Sequence, residues 1–104
     1  MREEREYYLE PIYDSRKSFY KKALVEIKED NISYNELLYS YGTLVAIYTK
    51  DKMTDLEQFS YLGYFSQTTK RHQKEFFRQK GLSEKELITL FEIRHLDKKE
   101  SDIL

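Results

Sequence analysis

The sequence predicts an α+β fold, a small antiparallel sheet of three to four strands packed by two C-terminal helices. Three observations support this prediction. Residues 18–64 hold short runs of β-branched and aromatic side chains that alternate with polar ones. Residues 66–93 hold helix start and stop signals. Ten tyrosines and six phenylalanines supply apolar surface to a chain in which 36% of residues are charged.

Length and composition predict one domain over residues 1–104. A chain of 104 residues is long enough for one small core and too short for separate substrate and cofactor domains. Cysteine is absent, which excludes a disulfide scaffold, thiol catalysis and thiolate-bound zinc. The N-terminus has no apolar signal segment, and no window resembles a membrane span. We therefore expect a cytoplasmic protein that does not enter a membrane.

The first predicted strand follows a lead-in of residues 1–17, in which Pro11 prevents one uninterrupted helix. Apolar side chains of one parity then follow: Phe19, Ala23, Val25 and Ile27. This alternation indicates a strand, but three of these residues also stand four apart, as on one face of a helix. The pattern alone leaves residues 18–28 undecided between strand and helix.

The clearest strand signal lies in residues 35–50. Its side chains of one parity are nearly all β-branched or aromatic: Leu37, Tyr39, Tyr41, Thr43, Val45 and Ile47. Gly42 interrupts this run, and glycine accepts positive φ without strain. The segment is either one bent strand or a hairpin that turns at Gly42. A further strand is predicted after residue 55, with Phe59 and Tyr61 on one side.

The first of the two helices begins after a cluster of hydroxyl residues. Ser66 or Thr68 can cap it, and Gly81 ends it. The same hydroxyls and free N–H groups form a competent anion site, although capping alone explains them.

The second helix begins at a capping box in residues 83–86, Ser-Glu-Lys-Glu. An apolar stripe continues from it: Leu87, Leu90 and Phe91, to which Ile88 can be added. This helix is predicted to end near Ile93, and residues 96–104 are predicted to be a tail.

Cationic side chains gather in the first predicted helix, over residues 68–80. Four of them form a candidate partner-binding row: Lys70, Arg71, Lys74 and Arg78. Such a row can track phosphates or dock on an acidic protein groove. It is also typical of the solvated face of a helix that packs Phe76 and Phe77 inward. We expect the aromatic side chains to form one interior, with this row outside.

Four tyrosines of the predicted strands form a second candidate contact surface: Tyr39, Tyr41, Tyr61 and Tyr64. Their rings could stack bases, as on a single-strand platform. Such a stripe is also typical of a sheet that is half core and half surface.

No specific catalytic motif occurs in the chain. A nucleophile elbow, a phosphate loop and a metalloprotease motif are all absent from the sequence. His72 and His95 are the only histidines, and no cysteine completes a metal site with them. We therefore expect no enzyme, no cofactor and no metal site. His72 is expected to be a hydrogen-bonded residue beneath the sheet.

Three segments of the chain resemble a known family: YDSRKSFYKKA (13–23), LLYSYGTLVAIY (37–48) and YFSQTTKRHQKEFFRQKG (64–81). They are similar to small proteins of unknown function encoded by bacteriophages and related mobile elements of Gram-positive bacteria. Gly42 stands where that family often has asparagine, which also tolerates positive φ. Phe65 lies between the tyrosine and the serine of the third motif, a departure of one residue. The resemblance favours the strand for residues 18–28.

The resemblance also implies a class of function. Small phage-encoded proteins include inhibitors of host defence, such as anti-CRISPR proteins that occlude an effector nuclease. We therefore expect a non-enzymatic inhibitor that binds a host protein, such as a CRISPR effector nuclease, in the cytoplasm of a bacterial host cell. The alternative is a nucleic-acid-binding module that uses the basic helix 68–80. A monomer and a homodimer are both compatible with the sequence.

Overall fold

A computed structural model describes residues 3–99 and shows six strands and two helices within them. In chain order they are β1 (Glu3–Tyr8), β2 (Ala23–Glu29), β3 (Ser33–Ser40), β4 (Thr43–Asp51), β5 (Leu56–Tyr61), α1 (Gln67–Gln79), α2 (Glu84–Ile93) and β6 (His95–Lys99). The α+β prediction is confirmed. The prediction of three to four strands is wrong, because six antiparallel strands form one sheet in sequence order, β1 to β6.

The two strands that the sequence did not predict are the edges of the sheet. β1 lies in the segment predicted as a lead-in, and β6 lies at the start of the segment predicted as a tail. Every residue of β1 is exposed, so it carries no alternation of apolar and polar side chains. Edge strands are often short and charged, because charge discourages pairing with another chain. Residues 100–104 of the predicted tail lie outside the described residues.

The central strands follow the predicted patterns. Residues 23–29 form a strand, with Val25 and Ile27 buried on one face. Gly42 is part of a hairpin turn between β3 and β4, which decides between the two alternatives in favour of the hairpin. Phe59 and Tyr61 lie on the buried side of β5, as predicted.

A β-bulge at Val45 disturbs the alternation in β4. Both Val45 and Ala46 are buried, and the register between β3 and β4 shifts at Leu38 and Tyr39. The carbonyl of Val45 accepts a hydrogen bond of 3.0 Å from the side-chain amide of Gln73 on α1. The bulge therefore links the sheet to the helix that covers it.

Both helices begin where the sequence predicts. The hydroxyl of Ser66 accepts the amide of Thr69 and caps α1, and Gly81 follows its end with a φ of 103°. Ser83 and Glu86 form the predicted capping box of α2. None of the helices within residues 3–99 is long and apolar enough to cross a membrane.

The core lies between the two helices and one face of the sheet, as predicted. Its largest aromatic members are Phe19, Tyr48, Phe59, Tyr61, Phe76 and Phe77, and Phe91 packs against them. Each such ring removes roughly 150–250 Å² of surface from water. The opposite face of the sheet carries no helix within the described residues. Its central side chains are partly exposed: Leu24, Leu37, Tyr39, Leu44 and Ile47.

Candidate functional site

Two tight turns lie side by side at one end of the sheet. The first has positive φ at Tyr20 and Lys21, 54° and 61°, and the second at Tyr41 and Gly42, 52° and 83°. The amide of Tyr41 donates to the carbonyl of Lys22 at 2.9 Å, which joins the two turns. A non-glycine residue in this conformation costs on the order of 1 kcal/mol or more, and such strain tends to cluster at functional sites.

These turns present an exposed surface of tyrosines and lysines. We call it the tyrosine corner, and its members are Tyr8, Tyr20, Lys21, Lys22, Tyr39 and Tyr41. Tyr20 is 71% exposed, Tyr41 59% and Tyr8 47%. Tyrosine offers a large contact area at a small cost in side-chain entropy, so exposed tyrosines are well suited to binding a partner.

Three connected concavities run from the tyrosine corner to α1. The sheet groove, about 630 Å³, lies on the open face of the sheet and is lined by Glu6, Tyr8, Lys21, Leu24, Glu26 and Tyr39, with Lys22 and Tyr41. The turn pocket, about 250 Å³, shares Lys22 and Tyr41 with the groove and is also lined by Arg16, Tyr20, Arg71 and His72. The helix groove, about 250 Å³, shares Arg71 and is lined by Asp14, Gln67, Lys70 and Lys74. Lysines and arginines therefore line all three concavities.

The predicted cationic row of α1 is divided between the surface and the protein's own acidic residues. Lys70, Arg71 and Lys74 meet in the helix groove. Arg71 also pairs with Asp14 at 3.2 Å. Arg78 pairs with Glu84 at 3.3 Å. The row is therefore not a continuous outward display, and a role for these residues in binding a partner stays a prediction.

The four predicted tyrosines are also separated. Tyr39 and Tyr41 both line the sheet groove. Tyr61 is buried, and its ring lies 4.3 Å from that of Phe91 in the core. Tyr64 is 59% exposed and does not line the three concavities. Tyr61 therefore has no surface to offer a partner, whereas the other three tyrosines do.

A buried carboxylate on α1 holds the loop that follows β1. Glu75 is 2% exposed and accepts the backbone amides of Ile12 at 2.8 Å, Tyr13 at 3.0 Å and Asp14 at 2.8 Å. The side-chain amide of Gln79 donates to the same carboxylate at 2.6 Å. We call this arrangement the N-terminal latch. It satisfies three backbone donors that have no strand or helix to pair with.

A second buried carboxylate lies on β3, beneath the C-terminal end of α1. Glu36 is 3% exposed and accepts hydrogen bonds from Tyr7 at 3.1 Å, from Tyr34, and from the ammonium group of Lys80 at 2.6 Å. Burial raises the pKa of Tyr7 and of Tyr34, and the Glu36 carboxylate raises both further. Both phenols therefore stay protonated and continue to donate.

His72 forms the floor of the turn pocket and is hydrogen-bonded beneath the sheet, as predicted. The histidine is 1% exposed, and its Nδ1 lies 2.8 Å from the hydroxyl of Ser40. Ser40 also contacts the hydroxyl of Thr69 at 2.8 Å, and the ring of Phe19 lies 4.5 Å from the imidazole. Burial lowers the pKa of His72, and the Asp14 carboxylate opposes part of this shift. The histidine is therefore neutral at physiological pH.

The free energy of unfolding should fall as the pH drops below the ordinary histidine pKa of 6.5, because the folded-state pKa of His72 is lower. The unfolded chain then takes up a proton first, so this stabilisation is complete above the unfolded pKa and is lost as the pH falls toward the folded pKa. His72→Phe keeps a ring but cannot titrate. Urea unfolding between about pH 7.5 and about pH 5.5 should show a shallower dependence in the variant. An equal pH dependence of the unfolding free energy in the wild type and in His72→Phe would show that His72 does not have a lowered pKa in the folded protein.

Replacing Tyr41 by asparagine should stabilise the protein. Asparagine tolerates positive φ better than tyrosine, so Tyr41→Asn should raise the free energy of unfolding by about 0.5–1 kcal/mol. Tyr64→Asn, at an exposed tyrosine outside the corner, is the matched control and should change stability by less than about 0.5 kcal/mol. Urea unfolding measures both variants, and a destabilised Tyr41→Asn would show that the turn is not strained.

The sequence did not predict four of the six members of the tyrosine corner. Tyr8, Tyr20, Lys21 and Lys22 are not among the predicted contact residues. The alternation in residues 18–28 places Tyr20 and Lys22 opposite the apolar face, but it does not show which outward side chains lie beside Tyr41. The available signal was the Tyr-Lys-Lys run directly before a strand, at residues 20–22. Only the fold brings this run beside Tyr41.

Comparison with known proteins identifies a family. Its model, for the family of unknown function DUF8033, matches residues 7–90. That range includes every residue of the tyrosine corner and of the N-terminal latch. No curated protein matches the chain. No solved structure matches it either.

Proposed function

This chain belongs to DUF8033, a family of unknown function, and we propose that it acts as a non-enzymatic binding protein. Its contact surface is the tyrosine corner. The observation that carries the proposal is the cluster of three well-exposed tyrosines, two of them on strained turns, Tyr20 and Tyr41, and the third, Tyr8, at the end of β1. Tyrosine is enriched among the residues that dominate the energy of protein interfaces.

The partner we propose is a host defence protein, such as a CRISPR effector nuclease, which this protein inhibits in the cytoplasm of a bacterial cell. The resemblance to phage-encoded proteins supports this class of partner. We propose that the partner has an acidic patch, because three basic residues of this chain border the exposed tyrosines: Arg16, Lys21 and Lys22. Complementary charge favours fast and specific association.

A pulldown from host lysate, followed by a cleavage assay, tests the proposal. The informative variant is Tyr20→Asn with Tyr41→Asn, since asparagine accepts the positive φ of both positions. Tyr64→Asn is the matched control, because it removes an exposed tyrosine outside the corner. We expect the wild type and the control to retain a nuclease and to inhibit its cleavage of DNA. The double variant should lose both properties.

Two results would contradict the proposal. One is a wild-type protein that neither retains nor inhibits any defence protein. The other is a double variant that inhibits as well as the control, which would place the contact elsewhere on the surface. Circular dichroism and urea unfolding of the variants distinguish lost contact from lost folding.

Direct nucleic-acid binding through the basic helix 68–80 is a second candidate function. The observation that favours it is the helix groove, where Lys70, Arg71 and Lys74 meet on one face of α1. Lysine and arginine that neutralise phosphates give binding that weakens steeply with salt.

A mobility-shift titration with single-stranded and double-stranded DNA and RNA tests this candidate. Binding at physiological salt that is lost on Lys70→Glu with Lys74→Glu would support it. Lys85→Glu, at an exposed lysine of α2, is the control. No shift at high micromolar protein would exclude the candidate.

A further inference from the structure

The sheet groove is lined by both lysines and glutamates, so a ligand that carries charge of only one sign does not match it. Lys21 and Lys22 lie at one end, and Glu6 and Glu26 lie on neighbouring strands at the other. A purely anionic ligand would meet the carboxylates, and a purely cationic one would meet the lysines. The contents of the groove therefore favour a ligand with an anionic end and a hydrogen-donating end.

The carboxylates of Glu6 and Glu26 both line the groove and can accept hydrogen bonds from a ligand. Glu6 and Glu26 are directly opposite each other in the pairing of β1 with β2. Like charges in this position are destabilising. The hydroxyl of Tyr39 donates to one oxygen of Glu26 at 3.2 Å, and the ammonium group of Lys28 lies 3.9 Å from the same oxygen. A ligand amino group between the carboxylates would donate to the other oxygen of Glu26 and to Glu6.

The walls of the groove suit a flat ring. Tyr8 pairs with Leu24, and Leu24 pairs with Tyr39, so the two tyrosines flank a leucine on the same face. Two strand spacings separate their Cα atoms by roughly 9–10 Å. A ring held between two faces at van der Waals distance needs about 7–8 Å. The strand spacing therefore leaves a gap with room for one planar ring above Leu24, between the positions of Tyr8 and Tyr39.

The charged ends lie in line with that gap. Lys22, Leu24 and Glu26 are alternate residues along the chain, and all three line the groove. Four residues of extended chain span roughly 13 Å. This length is comparable with that of a nucleotide from its phosphate to the edge of its base. The ammonium group of Lys21 lies over the Tyr8 ring, 5.8 Å from its centre.

We propose that the sheet groove binds a nucleotide, with the base between Tyr8 and Tyr39, an amino group of the base at Glu6 and Glu26, and the phosphate at Lys21 and Lys22. Adenine, guanine and cytosine carry such an amino group, and uracil does not. The inference does not rest on the proposed protein partner, because the groove forms within one chain. The nucleotide is either free or the end of a single strand.

Titration of the isolated protein with AMP, GMP, CMP and UMP, followed by calorimetry and amide NMR, tests the inference. We expect AMP to bind more tightly than UMP and to shift the amide signals of the groove. Tyr8→Leu should weaken AMP binding roughly tenfold, because stacking on one aromatic ring is lost. Lys21→Asn, which accepts the positive φ of that position, should weaken it by roughly fivefold to tenfold through the loss of a phosphate contact.

Tyr64→Leu is the control and should bind AMP as the wild type does. A short adenosine strand distinguishes the two sources of the nucleotide. A strand that binds far more tightly than AMP identifies a strand end, and equal affinities identify a free nucleotide. The inference is overturned if no nucleotide binds at millimolar concentration, if UMP binds as tightly as AMP, or if neither variant differs from the control.

Discussion

Glu75→Gln should lower the free energy of unfolding by about 3 kcal/mol, one of the two largest effects we expect from a single substitution. Three backbone amides and the side chain of Gln79 donate to the Glu75 carboxylate. Glutamine has one acceptor oxygen, and its own amide group would face these donors. Some of these part-buried N–H groups then lose their partner, and a buried donor left without a partner costs about 1–3 kcal/mol.

Glu92→Gln is the matched control for this substitution. Glu92 is exposed on α2, so the same chemical change there should alter stability by less than about 0.5 kcal/mol. Urea unfolding measures both variants. If Glu75→Gln costs no more than the control, the carboxylate does not hold the loop.

Lys80→Met should also destabilise the protein by about 3 kcal/mol, because it leaves the Glu36 carboxylate buried without its counter-charge. Lys80 donates to this carboxylate at 2.6 Å, and its side chain is largely buried. Glu36→Gln in the Lys80→Met background should recover part of the loss, since a neutral amide needs no counter-charge. A double-mutant cycle measured by urea unfolding gives the coupling energy between the two residues.

The control for the cycle is Lys85→Met, at an exposed lysine of α2. It should be close to neutral. Strictly additive effects of the Glu36 and Lys80 substitutions would contradict the account, because they would show that the two groups do not interact in the folded protein.

The helices and the inner strands could be predicted because their signals are local. The cap at Ser66 and the box at Ser83 and Glu86 each depend on neighbours in sequence. The alternation through Val25 and Ile27 is local as well, but it also fits a helix, so only the family resemblance favoured the strand there. The edge strands could not be predicted. All the residues of β1 are at least partly exposed, so the strand carries no apolar alternation and its conformation depends on pairing with β2.

The partners of the polar residues on α1 could not be predicted either. Glu75 binds backbone amides more than 60 residues away, and Arg71 binds Asp14 across 57 residues. A helical wheel shows these side chains as parts of a charged face, and it cannot show that another segment covers them. The charged face of α1 therefore includes side chains that the fold pairs internally, whereas a role for the cationic row in binding a partner stays a prediction.

The hydrogen bonds of Glu75 and the ion pair of Arg71 with Asp14 also support the tyrosine corner. The latch fixes residues 12–14, and the chain then continues to the turn that presents Tyr20. Arg71, held by Asp14, lines both the turn pocket and the helix groove. The central claim is that the buried Glu75 carboxylate on α1 holds the backbone of residues 12–14.

Amide hydrogen exchange at residues 12–14 tests this claim most directly. These residues lie in a loop outside the strands and helices, where exchange is ordinarily fast. The amides of Ile12, Tyr13 and Asp14 should be protected in the wild type, and Glu75→Gln should remove the protection. Exchange of all three wild-type amides at the rate of an unstructured peptide would contradict the claim.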